Sequence, residues 1–365
     1  FTHDMIGNTY AYKITEKLPQ GVNADNPTLN GITYDTSEKI VKVTVTRSDE
    51  GGIEHVVATV TPNDGTAEAA KNFTFTNKYE PSSVTIGEDT GNAITVQKTF
   101  TGRTWNDSDV FEYSLIALDN APMPSTGGDV ISIGKPASGD SNTAIFGNIT
   151  FTKEGVYKYE ITETDGGLGG VTYDKHTAKV TVSVTEDEKT GTLSAKVEYD
   201  NSTAENNSDK DVQDAAAFTN TYKAVFDPDT TVNLNGTKEL TGKDLTEGMF
   251  YFYVDPQDGA PMGDFAPTGD STAMNPNQAD GSIQLLKNVT YTEAGDYVYI
   301  IKEQIPSNKE KGMTYDESEY RVTVTVTDDQ QGNLTASEPK IEKKAAGAVD
   351  YVEADAVVFE NNYEP

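Results

Sequence analysis

The stretch Tyr157-Lys158-Tyr159-Glu160-Ile161-Thr162-Glu163 decides the reading of this chain. Polar and apolar residues alternate along it. Successive side chains of a strand point to opposite faces, so Tyr157, Tyr159, Ile161 and Glu163 share one face. Three large apolar groups and a carboxylate on one face describe a half-buried strand with an acid at its end. The block recurs as Tyr10 to Glu16 and as Tyr297 to Glu303, giving the one-face sets Tyr10, Tyr12, Ile14, Glu16 and Tyr297, Tyr299, Ile301, Glu303. The acids lie 147 (163 − 16) and 140 (303 − 163) positions apart. A repeat of that length is the size of a domain.

Working outward, the flanks repeat as well. A Tyr-Asp pair follows each block, at Tyr34-Asp35, Tyr173-Asp174 and Tyr315-Asp316. A β-branched run comes next, over Ile40 to Thr46, Ala178 to Thr185 and Tyr320 to Thr327. Each unit closes on an aromatic-Asn-aromatic signature: Phe75, Asn77, Tyr79; Phe218, Asn220, Tyr222; and Phe359, Asn361, Tyr363. Two units also share an opening, Ile94 to Arg103 and Val232 to Lys243, each followed by a Phe/Tyr-rich strand. The first unit has no such opening, since Phe1 aligns with Phe151. The spacing therefore predicts a partial module over 1–81 and complete modules over 82–223 and 224–365. The abrupt start at Phe1 reads as a mature or excised segment.

Every informative segment alternates over five to nine positions between Gly, Asp, Asn and Pro turns, the pattern of short strands. Only Thr66 to Lys71 reads as a short turn of another kind. The fold class expected is all-β, as tandem Ig-like β-sandwich modules.

Parity brings three chemistries to one core. In the opening strands Ile94, Val96, Lys98 and Phe100 share a face, as do Val232, Leu234, Lys238 and Leu240. An amine, a carboxylate and a carboxamide are thus each flanked at i±2 by apolar neighbours. A charge cannot be buried alone, so such groups pair or neutralise, burial raising a Glu pKa and lowering that of a Lys. Two outcomes remain open at this point. One is a buried Lys–Glu ion pair hydrogen-bonded to Asn. In the other, neutral Lys attacks the Asn carboxamide while protonated Glu polarises it and shuttles the proton, leaving an amide and free ammonia.

Lys98 with Thr-Gly-Arg103, Lys238 with Thr-Gly-Lys243, the Tyr-x-Tyr-x-Ile-x-Glu block and the closing Phe-x-Asn-x-Tyr together resemble the streptococcal pilin isopeptide linkage domains. These occur in major pilins and in stalks of Gram-positive surface adhesins. The resemblance spans nearly the whole chain. It implies a Lys98–Asn220 bond with Glu163 as its catalyst and a Lys238–Asn361 bond with Glu303. It also implies that Glu16 and Asn77 belong to a triad whose Lys lies upstream of Phe1. Lys243 aligns with Arg103 and not with Lys98; Glu160 has Ile300 as its counterpart and Asn362 has Thr221. First and last strands pair in parallel in the family, which implies modules strung end to end as a rod. The partners implied are adjacent stalk modules of the same chain and a host surface receptor reached through another domain, on an extracellular, cell-wall-anchored protein. No sortase sorting signal and no pilin-type lysine motif is found, and the second absence favours a stalk over a polymerised shaft.

Composition narrows the alternatives. Acidic residues number 59 against 28 basic, for a net charge of -31, which repels nucleic-acid phosphates and anionic lipid. There is no cysteine, so disulfides cannot brace the modules. No apolar run approaches the ~18 residues of a membrane span. An enzyme acting on external substrates finds little support. His3, His55 and His176 show no metal-ligand spacing, and His176 reads as part of a strand. Gly166 to Gly170 joins two strands and is a turn, and Asp107-Ser108-Asp109 and Asp227-Pro228-Asp229 read as solvated loop charge. No cofactor and no metal site is expected. The rival is a ligand-binding adhesin module using the loops Asp119 to Ser141 and Asp255 to Gly281 for a host protein or glycan.

Overall fold

A computed structural model describes residues 1–62, 73–125, 127–265 and 273–365. The turn expected over Thr66 to Lys71 lies outside them. Strands dominate, and helix among the described residues is confined to short pieces such as the single turn Asn207–Lys210. The chain divides into two compact units, one of Phe1–Thr99, Asn106–Thr164 and Asp174–Thr219, the other of Phe100–Trp105, Asp165–Tyr173 and Asn220–Pro365.

In the first unit, a five-stranded antiparallel sheet runs in the order Val130–Gly134, Val110–Ala117, Gly155–Glu163, Thr177–Asp187 and Thr192–Asp200. The Tyr-x-Tyr-x-Ile strand sits at its centre, paired along one edge with Thr177–Asp187 and along the other with Val110–Ala117. Tyr159 lies opposite Val180 and Ile161 opposite Ala178, and all four are buried. A four-stranded sheet orders Ser141–Ile145, Thr95–Thr101, Ala216–Tyr222 and Val171–Thr172.

The second unit repeats the plan. Ala273–Pro276, Tyr251–Pro256, Gly295–Glu303 and Glu319–Asp328 form one sheet, with Lys340–Lys344 and Asn333–Ala336 continuing it beyond Glu319–Asp328. The other orders Ser282–Val289, Val232–Thr241, Val357–Tyr363 and Met313–Thr314. In it the Lys-bearing and Asn-bearing strands pair in parallel, with Lys238 opposite Phe359 and Leu240 opposite Asn361.

The repeated tyrosines are explained by their hydroxyls. Buried Tyr159 donates to the Pro122 carbonyl at 2.7 Å, and buried Tyr299 donates to the Pro261 carbonyl at 2.7 Å. The ring fills the core while the hydroxyl satisfies a loop carbonyl, a combination that Phe cannot supply. The Thr-Gly motif has a backbone cause. Gly102 (φ 91°) and Gly242 (φ 77°) lie in the left-handed region. A Cβ on either would fall 2.0 Å from the carbonyl oxygen of Tyr222 or Tyr363.

Two expectations need correction. His176 does not lie on a strand; it ends the loop immediately before Thr177–Asp187. In the first module, Tyr12 is 48% exposed and Ile14 36%, whereas Tyr159, Tyr299, Ile161 and Ile301 are fully buried. The alternation there is intact, in a three-stranded sheet of Thr9–Ile14, Lys39–Glu50 and Ile53–Pro62. What differs is the other side of the sandwich. Among the described residues the module's second sheet is only Thr28–Leu29, Ile32–Thr33 and Lys78–Tyr79, too small to cover those side chains.

Candidate functional site

In the third module, parity and pairing bring the three predicted groups together. Lys238 projects inward from one sheet, and Glu303 ends the central strand of the facing sheet. Their side chains are fully buried, with Lys238 Nζ 2.7 Å from Glu303 Oε2. The other carboxylate oxygen, Oε1, accepts from Asn361 Nδ2 at 2.6 Å. Asn361 Oδ1 accepts the backbone N–H of Asp316 at 2.7 Å. One carboxylate therefore holds the amine and the carboxamide side by side, while a fixed backbone donor points at the amide oxygen. A donor so placed stabilises the charge that develops on that oxygen under attack at Cγ. The Phe250 ring lies 4.6 Å from Lys238 Nζ and closes the pocket.

Burial sets the protonation of the pair. It pushes Glu303 up, against hydrogen bonds from Lys238 and Asn361 that pull it down. It pushes Lys238 down, against the adjoining carboxylate. Both shifts favour neutral amine beside protonated acid, the pairing that amide formation requires.

The second module has the same geometry at its first two positions. Lys98 Nζ lies 2.7 Å from Glu163 Oε1, with both side chains fully buried. The Phe111 ring lies 4.6 Å from Nζ, as Phe250 does in the third module. Burial brings Lys98 down to about 8, opposed by Glu163. Asn220 is fully buried in Ala216–Tyr222, the strand next to Thr95–Thr101 in the sheet order.

In the first module Asn77 Nδ2 donates to Glu16 Oε1 at 2.8 Å, and Asn77 Oδ1 accepts the Asp35 N–H at 2.8 Å. This is the third module's arrangement without its lysine; among the described residues, no lysine bonds Glu16.

The sequence reading missed the aspartate of each Tyr-Asp pair. Asp316 Oδ1 accepts from the Ser318 N–H at 2.8 Å and Oδ2 from the Glu360 N–H at 3.0 Å, one residue before Asn361. Asp35 does the same with Ser37 at 2.9 Å and Thr76 at 3.2 Å. Asp174 does so with His176 at 3.0 Å and Thr219 at 3.2 Å. Each clamps the Asn-bearing segment, and the Asp35 and Asp316 N–H groups themselves donate to the Asn77 and Asn361 carboxamide oxygens. The threefold Tyr-Asp repeat was the available signal, but a loop residue carries no parity to read. His176 has a structural place, its Nδ1 2.7 Å from Asp174 Oδ1 and its ring stacked on Phe218. Lys243 and Arg103 are equivalent, as aligned: each cation lies over the closing tyrosine, at 5.1 Å from the Tyr363 ring and 4.9 Å from the Tyr222 ring.

The family model described as FctA: Spy0128-like isopeptide containing domain matches this chain three times, over residues 1–80, 94–223 and 234–364. The chain belongs to that family. It is a tandem of pilin-type structural domains with a β-rich fold. Similar solved structures include the major pilin protein T-13 from Streptococcus pyogenes, 19% identical over 78% of this chain and 100% of that one, with a TM-score of 0.25. A second S. pyogenes major pilin is 14% identical, over 74% of this chain and 98% of that one, with a TM-score of 0.27. The T3.2 pilin of the same organism is 18% identical, covering 74% and 95%, with a TM-score of 0.25. The family assignment rests on the family model. No curated protein matches the chain. No helix among the described residues is long and apolar enough to cross a membrane.

Proposed function

We propose that this chain is a structural segment of a Gram-positive surface stalk or pilus shaft, locked by Lys98–Asn220 and Lys238–Asn361 isopeptide bonds. Glu163 and Glu303 serve as the respective acid/base groups. The observation that carries the reading is the buried Glu303 carboxylate, which touches Lys238 with one oxygen and Asn361 with the other. The proton of the Lys238 ammonium passes to Glu303, and the neutral amine attacks Asn361 Cγ. As the new C–N bond forms and the C–NH2 bond breaks, Glu303 gives its proton to the leaving nitrogen, which departs as ammonia. It takes up the proton that the attacking nitrogen sheds and ends as the neutral acid beside the new amide. No cofactor, oxidant or external substrate takes part, so each site turns over once and the protein is not an enzyme in the ordinary sense.

The modules on this reading are 1–81, 82–223 and 224–365, with Glu16 and Asn77 forming an incomplete site. Each bond closes about a whole module, 122 (220 − 98) and 123 (361 − 238) positions. Tension entering on the Lys strand leaves on the Asn strand it pairs with, so the covalent bond bears the load and the intervening strands are spared. A cysteine-free surface protein gains a brace that no reductant opens. The chain's natural partners on this reading are its own neighbouring modules, and its place is outside the cell.

The intact mass of the denatured chain tests the proposal. Two ammonia molecules should be missing relative to the sequence, and Lys98→Ala and Lys238→Ala should each restore one. A mass equal to the unmodified sequence overturns it and leaves two buried ion pairs.

A further inference from the structure

Among the core positions at which the two complete sites differ, one adjoins the carboxylate. Tyr113 lies directly opposite Glu163 in the strand register, where Phe252 lies opposite Glu303. Both residues are fully buried, and their rings pack alike: Tyr113 is 5.1 Å from the Phe218 ring and Phe252 is 5.0 Å from the Phe359 ring. Only the hydroxyl is different. Tyr113 Oη donates to Glu163 Oε1 at 3.2 Å, the same oxygen that takes Lys98 Nζ at 2.7 Å. Among the described residues, no tyrosine hydroxyl donates to Glu303.

We propose that Tyr113 is a positioning residue that slows and re-tunes bond formation in the second module, and that Phe252 leaves the third module's site the faster of the two. The proposal rests on the isopeptide reading above. A hydrogen bond given to a carboxylate favours its ionised form. Ionised Glu163 holds Lys98 as ammonium, and an ammonium cannot attack Asn220. Removing the donor shifts the pair towards neutral amine and protonated acid, raising the reactive fraction by about tenfold, the effect of one hydrogen bond to a charged group. The shift exchanges a proton within a pair of unchanged total charge, so it raises the plateau of the pH–rate profile. The acid limb, where Glu163 takes a proton while Lys98 keeps its own, moves separately. Without Tyr113 that limb lies at higher pH. The other titratable groups around the second site are Asp174 and His176, before Thr177–Asp187, and Asp209 in the short helix. All three are retained in the test.

The test uses the full chain in two single-bond backgrounds. Lys238→Ala leaves only the second-module bond and Lys98→Ala only the third. Chains made in a cell-free system and collected in denaturant are diluted into folding buffer over a range of pH. Ammonia loss is followed by intact mass, and folding by circular dichroism. Tyr113→Phe should speed the second-module bond about tenfold and move its acid limb to higher pH. Phe252→Tyr should slow the third-module bond by a like factor and move its limb to lower pH. Swaps that leave rates and limbs unchanged, or that move both modules in the same direction, overturn the proposal while the ammonia deficit itself stands. If ammonia is lost in neither background, the bonds do not form and the proposal falls with the reading beneath it.

Discussion

Removing Glu303 should harm the third module more than removing Lys238, although on the proposed function either change abolishes the same bond. Both variants lose closure of a 123-position loop (361 − 238), worth roughly 4–5 kcal/mol in a chain-entropy model. They differ in what stays behind. Lys238→Ala leaves Glu303 with its hydrogen bond from Asn361, and burial lets that acid take a proton. Glu303→Ala leaves the Lys238 side chain, fully buried, without its carboxylate. Stripping one partner from a buried pair costs about 3–5 kcal/mol at neutral pH. Lys238→Ala carries a like cost less the Asn361 hydrogen bond that Glu303 keeps, worth about 1.5–3 kcal/mol to a charged group. With each kcal/mol worth ~2–4 °C in a domain of this size, Glu303→Ala should melt several degrees below Lys238→Ala. The double Ala variant should recover to near Lys238→Ala, because the stranded charge is gone.

The gap should also depend on pH. The folded-state pKa of Lys238 is depressed, so its penalty is full at low pH and fades as pH rises towards the free-lysine value. Glu303 is raised in the folded state, so Lys238→Ala loses stability as pH rises above the free-carboxylate value. Both trends narrow the difference at alkaline pH. Differential scanning calorimetry of full-length variants, with intact mass confirming the lost bond, measures it. A Glu303→Ala transition at or above that of Lys238→Ala refutes the reasoning, since no uncompensated charge would then be left in the core.

Further expectations follow from the same geometry. Bond formation in the second module should fall off above a pH of about 8, where Lys98 loses its proton while Glu163 is ionised and no acid remains for the leaving ammonia; time-resolved mass spectrometry of refolding Lys238→Ala chains reads this limb. Asp316→Ala removes the acceptors for the Ser318 and Glu360 N–H groups and should slow the third-module bond at least several-fold, with a stability loss of about 1–3 kcal/mol seen in urea unfolding. Gly242→Ala puts a Cβ 2.0 Å from the Tyr363 carbonyl and forces a strained backbone, so it should cost more than ~1 kcal/mol, whereas Gly259→Ala, with nothing within 4 Å, should cost only the backbone strain.

Alternation along the Tyr-x-Tyr-x-Ile-x-Glu, Lys-bearing and Asn-bearing strands was enough to give the all-β class, the threefold repeat, and the inward direction of Lys98, Lys238, Glu163, Glu303, Asn220 and Asn361. A strand has only two faces, so parity is a local property that sequence carries in full. The same property misled in the first module. Tyr12 and Ile14 keep their parity yet stay exposed, because burial requires a facing sheet that alternation does not report. Which oxygen of Glu303 takes Lys238 and which takes Asn361, the Asp316 N–H at the carboxamide, and the Tyr113 hydroxyl opposite Glu163 belong to the tertiary structure alone. They depend on two sheets meeting in one register and on loops whose residues follow no period. Sequence thus determined which groups go inside. Only the packing of the two sheets decided which of them touch, and contact is what turns a buried lysine into a candidate nucleophile.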